Sequence, residues 1–161
     1  MQDNTIKLNK DNVLRLKIVT DKGEETGGYL EFDLEDIELL LKYQDLIEQD
    51  KKNKEHLRNQ LIIIDKKEDV KGKGLLTRNE EEKIKALNEF FKEEEKVYDM
   101  FLGENGVKKL LNGRKLGWTS LSEIDEIIEK QIAPYLNLNM KSITDKIKTK
   151  YSQVEQSDVL E

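Results

Sequence analysis

The stretch TRNEEEKIKALNEFFKEEEKVYDMFLG, residues 77–103, carries a full set of helix signals. Thr77 and Glu80 have capping-box spacing: a threonine hydroxyl takes one orphan amide of the first turn, and the glutamate three residues on reaches back to another. Ile84, Leu87, Phe91, Tyr98, Phe101 and Leu102 recur at three-to-four spacing and predict one apolar stripe, with Glu93-Glu94-Glu95 outside it. Gly103 ends the helix at the position where a left-handed residue is favoured. Phe90 and Val97 stand seven apart on an adjoining stripe, and Trp118 follows close behind. A helix this acidic has little reason to hold a second apolar stripe unless something covers it. Phe90, Val97 and Trp118 are therefore the candidate partner-binding residues, and cover by the next long helix of the same chain is the competing expectation.

Upstream, Val13 to Thr20 alternates, with Leu14, Leu16 and Ile18 on one side and Arg15 and Lys17 on the other. Tyr29 to Leu34 alternates again through Leu30, Phe32 and Leu34. Period two on both sides of a Gly-containing loop predicts an antiparallel hairpin. Asp33 to Asp36 has capping character, and a long helix is expected from Leu34 to Ile64. Its first stripe is read as Ile37, Leu40, Leu41 and Ile47, and its last as Leu57, Leu61 and Ile64. Glu48 to Glu55 between them is polar, so this section either spans solvent or breaks. Lys66 to Gly74 reads as a mobile loop.

Downstream, Asn105 to Asn112 predicts a short helix stopped by Gly113. Ser120 to Glu123 has capping-box spacing before Leu121, Ile124, Ile127, Ile128 and Ile132. Pro134 ends or kinks that helix. Asn139 opens a last helix with Met140, Ile143, Ile147 and Tyr151 on one face. The fold class is therefore mainly α with a small β-hairpin, an N-terminal antiparallel hairpin followed by four to five helices. One domain covers residues 1–161: a loose N-terminus (1–12), the hairpin (13–34), a helical part (35–151) and a flexible tail (152–161).

Composition bounds the chemistry. The chain has 161 residues, 39% of them charged and 36% hydrophobic, with a net charge of −6. Charged residues near 25% are usual, so wide solvated faces are expected rather than a deep apolar pocket. There is no cysteine, which excludes disulfides and thiolate chemistry, and the one histidine, His56, sits in a run that reads as a solvated helix face. No catalytic, cofactor-binding or metal-ligating residue is assigned. Lys71 to Gly74 lacks the spacing of a phosphate loop. Apolar runs such as Leu61 to Ile64 fall far short of the ~20 residues of a spanning helix. The N-terminus has no basic-then-apolar pattern, so a cytoplasmic protein is expected.

Charge is unevenly placed. Residues 31–50 hold eight acidic residues against Lys42, a net −7, and residues 140–151 hold four lysines against Asp145, a net +3. Four lysines without arginine make a thin case for nucleic acid in an acidic protein, whereas blocks of opposite sign suit self-association or partner docking. The free edges of a two-stranded hairpin point the same way. A homo-oligomer is expected.

The order of elements and the run Tyr98-Asp99-Met100-Phe101-Leu102-Gly103-Glu104-Asn105-Gly106 through Gly113 resembles small proteins encoded in the tail modules of phages and prophages of low-GC Gram-positive bacteria. Those encoded before the tape-measure gene are similar to tail assembly chaperones. In that family a helix ends in Phe-x-Gly-Glu-Gly and a short helix follows with a Leu/Phe-x-Gly stop. The matching positions are Phe101, Gly103, Glu104 and Gly106, then Leu111 and Gly113. The resemblance spans residues 27–136; the Trp118 segment and the basic last helix fall outside the family pattern. It implies a non-enzymatic protein that coats the helical tape-measure protein in the host bacterial cytoplasm during tail assembly. The acidic segment 31–50 supplies the alternative, a small inhibitor of a host factor that mimics nucleic-acid charge.

Overall fold

A computed structural model describes residues 12–159. The N-terminal segment 1–11 and residues 160–161 lie outside the described residues. The chain is mainly helical with one two-stranded antiparallel sheet.

Strands β1 (Val13–Val19) and β2 (Glu25–Asp33) pair with Leu14 opposite Phe32 and Leu16 opposite Leu30. That register puts Ile18, Leu30 and Phe32 into the core and leaves Arg15 stacked over Tyr29 on the outer face, 4.1 Å from the ring centre. The pairing slips between Lys17 and Val19. There the Thr26 hydroxyl donates to the Ile18 carbonyl at 2.9 Å, satisfying an acceptor that the irregular ladder would otherwise leave open.

Helix α1 (Glu38–Asp65) starts later than expected. Asp33 accepts from the Glu35 amide and Asp36 from the Glu38 amide, each at 3.0 Å. These side chains build a turn first, as short carboxylates do, and postpone the helix. The polar middle does not break it. Its inward face is Leu39, Leu46, Leu57 and Ile64, with half-buried Tyr43, Asp50 and Asn53 in line. Ile37, Leu41 and Ile47, expected in the core, lie outside at 61%, 59% and 54% exposure. Both faces of this half of α1 are apolar at helical spacing, so periodicity alone cannot choose between them.

The segment after α1 is tied down rather than mobile. Asn79 donates to the carbonyls of Ile64 (3.3 Å) and Lys67 (2.9 Å), and Asp69 accepts from Thr77 and from the Asn79 amide. A Cβ on Gly72 would stand 2.3 Å from the Leu76 carbonyl oxygen, so only glycine fits. Helix α2 (Arg78–Leu102) then opens on the expected capping box, Thr77 and Glu80 each accepting the other's amide. It packs antiparallel along α1. Tyr98, Phe101 and Leu102 are buried, as expected of its stripe; Leu87 and Phe91 are half-buried, and Ile84 is exposed.

Gly103 has φ +99 and ends α2. Helix α3 (Gly106–Leu111) follows, its Val107 amide held by Asp99 at 2.9 Å. A Cβ on Gly106 would come within 2.5 Å of the Leu102 Cβ, so this glycine is required by the tight α2–α3 corner. Helix α4 (Trp118–Ile127) begins before Ser120, whose hydroxyl accepts the Gly117 amide at 2.8 Å; Ser120 serves the first turn from inside instead of capping it.

Pro134 does not end the helical run. A π-helical turn, Ile128–Ile132, precedes it, and helix α5 (Ala133–Val159) continues without a gap. Proline has no N–H to offer an α-helical carbonyl, and a π turn is a standard way to absorb that mismatch. The last helix thus opens at Ala133 rather than Asn139 and runs past Tyr151 to Val159. Gln153, Glu155 and Gln156 are good helix formers with no glycine or proline among them, which fits the extension. Ile132, Ala133 and Leu136 are buried, whereas every described side chain of α5 beyond Leu136 is exposed.

No helix among the described residues is long and apolar enough to cross a membrane.

Candidate functional site

Two places on α2 depart from plain core packing. The first is aromatic. Phe90 is buried, with its ring centre 5.2 Å from Trp118 and 5.2 Å from Phe91, and Phe91 stands 5.0 Å from Trp118. Phe90 therefore does not face outward. The head of α4 supplies Trp118 as its cover, because a ring of this size is most stable when its whole apolar area leaves water. Trp118 itself remains 53% exposed. Half-buried Leu87 and Phe91 and exposed Ile84 continue the surface along α2. Val97 lies elsewhere: it is half-buried in a narrow crevice with Lys42, Asp45, Leu46 and Gln49 of α1 and with Met100. Of the three partner candidates, only Trp118 offers an exposed aromatic face.

The second place is polar, and the sequence reading missed it. Glu94, expected on the outer face, is fully buried. Its position eight residues from Ala86 and from Leu102 puts it on the inward side of α2. The polar middle of α1 meets it: Asn53 donates to Glu94 Oε1 at 2.8 Å. The Asp50 carboxyl stands in hydrogen-bonding contact with Glu94, while Asp50 Oδ2 accepts from Lys54 at 2.9 Å. Asp50 Oδ1 and Glu94 Oε2 are buried without an N–H or hydroxyl donor, an arrangement that one proton held between the two carboxyls satisfies.

Burial, then the Asp50 contact, push the Glu94 carboxyl up to about 8, against a partial offset from Asn53. Helix α4 closes the junction, where the Tyr98 hydroxyl donates to Asp125 Oδ1. Burial raises Asp125 in turn, and burial together with this bond raises Tyr98. Lys54 is raised too: burial pulls it down, but the hydrogen bond and charge of Asp50 outweigh that. A cleft of about 290 Å³ opens beside this junction, lined by Tyr43, Leu46, Ile47, Asp50, Tyr98, Asp125, Ile128 and Glu129.

Among the described residues no cluster of three or more His, Asp or Glu has the disposition to hold a metal ion. His56 is exposed on α1, as expected. Comparison with protein-family models, curated proteins and solved structures finds no match to this chain.

Proposed function

We propose that this protein is a non-enzymatic binding protein of phage tail assembly, a chaperone that keeps helical segments of a tape-measure protein soluble in the host cytoplasm. The observation that carries the reading is the half-exposed Trp118 on the Phe90–Phe91 pair. From it, Phe91, Leu87 and Ile84 extend an apolar track along α2 between charged flanks. An amphipathic helix places apolar side chains at matching three-to-four spacing, and a rigid aromatic anchor beside such a track is the usual centre of a helix-in-groove contact. Gly103, Gly106 and Gly113, on which the family resemblance rests, mark the end of α2 and the start and end of α3. High surface charge suits a protein whose task is to keep another soluble.

The chain has a single tryptophan, so its fluorescence reports on the anchor alone. Titrating the full chain with the tape-measure protein of the same phage or prophage should shift the emission to the blue, and co-expression should yield a soluble complex. The Trp118→Ala variant should lose the complex while losing only a modest part of its stability, since about half of the side chain is already in water. An emission spectrum indifferent to the tape-measure protein, with no co-purification, would sink the proposal.

A further inference from the structure

Helix α5 carries an apolar stripe further than its own fold uses. Leu136 is buried in the core, and Met140 and Ile147, four and eleven residues on along the same face, are exposed at 50% and 49%. Lys141, Lys146 and Lys148 flank them, all exposed. The N-terminal half of α1 presents the complement. Ile37 and Leu41 form an outer apolar patch opposite the core face, and exposed Glu38, Asp45 and Glu48 surround it. A soluble helix keeps one apolar face because the opposite one meets water, so a segment that is apolar on two sides has a second cover to find.

We propose that the overhang of α5 docks on the outer face of α1 in a second copy of this chain. The charges select that occupant. Residues 140–151 carry a net +3 and residues 31–50 a net −7, within a chain whose overall charge of −6 would otherwise make copies repel. The overhang is also long enough: from residue 137 to Val159 the helix extends for about 34 Å, while the outer face from Ile37 to Glu48 needs only about 16 Å at 1.5 Å per residue. Met140 and Ile147, two turns apart on one face, carry the flanking lysines toward the carboxylates that surround Ile37 and Leu41. This inference does not rest on the chaperone reading.

Sedimentation equilibrium of the full chain tests it. The wild-type protein should associate at tens of micromolar near 0.1 M salt and weaken near 1 M, as the screening length falls from about 10 Å to about 3 Å. Met140→Glu with Ile147→Glu should weaken association by about tenfold or more and leave melting unchanged, because both residues lie beyond the buried part of α5. Lys146→Glu with Lys148→Glu, and separately Asp45→Lys with Glu48→Lys, should each abolish self-association, and mixing these two variants should restore a complex. A wild-type chain that remains monomeric, a Met140/Ile147 variant that associates as tightly as the wild type, or a mixture of the charge-reversed variants that stays monomeric would each overturn the proposal.

Discussion

The inward face of α2 changes character along its length. At the C-terminal end, Phe101 stacks against Phe32 of β2 at 5.6 Å and Tyr43 of α1 at 5.5 Å, three elements meeting through aromatic area alone. Two turns earlier the same face presents Glu94 to Asp50 and Asn53. The aromatic end supplies stability through burial, which is non-directional and tolerates small shifts. The carboxyl region supplies geometry: Asn53 and Glu94 pair at only one register of α1 on α2, and sliding either helix by a turn would leave buried polar groups without partners. One region holds the helices together and the other sets where they stop sliding.

The largest expected effect lies at the aromatic end. Phe101→Ala should cost about 3–5 kcal/mol in urea unfolding, and Phe90→Ala a comparable amount, since both rings are buried. If Phe90→Ala left stability unchanged, the α4 cover over that ring would be wrong.

The carboxyl region should show itself through pH. Glu94 keeps its proton in the folded state up to about 8 but loses it near 4.5 when unfolded. Between those values the folded state holds more protons than the unfolded one, so stability should fall as pH rises, by up to about 1.4 kcal/mol for each pH unit, and level off above that window. Asp125, also raised by burial, adds a contribution of the same sign. Glu94→Gln should flatten most of this slope and make the protein more stable than wild type at alkaline pH. Urea melts across the window measure it, and an unchanged slope in the variant would remove the proton from the account.

Asn53→Ala takes the one donor from Glu94 Oε1 and should cost about 1–3 kcal/mol. If it costs nothing, the register role passes to Asp50 alone. Trp118→Ala should have the smallest effect on stability, because half of the ring is already in water.

The aromatic end was legible in the sequence and the carboxyl region was not. Tyr98, Phe101 and Leu102 belong to a stripe whose period is plain. Glu94 sits in Glu93-Glu94-Glu95, where residue type argues for solvent and only position argues for burial. A signal was present: Leu39, Tyr43, Leu46, Asp50, Asn53 and Leu57 alternate spacings of four and three, so two polar residues occupy a coiled-coil-like core line. Ile37, Leu40, Leu41 and Ile47 form a competing apolar set off that line and hid it.

The sequence by itself determined the element types, the inward and outward faces of the hairpin strands, the capping box at Thr77 and the glycine stops at Gly103 and Gly113. Each follows from local rules of alternation, caps and left-handed backbone that act within a few residues. Tertiary structure alone decided which face of α1 turned inward, that Phe90 was covered by Trp118, that Glu94 was buried and that the chain ran through Pro134 by a π turn. These depend on which surfaces meet across tens of residues, and burial energy is indifferent to sequence separation, so no local window contains the answer.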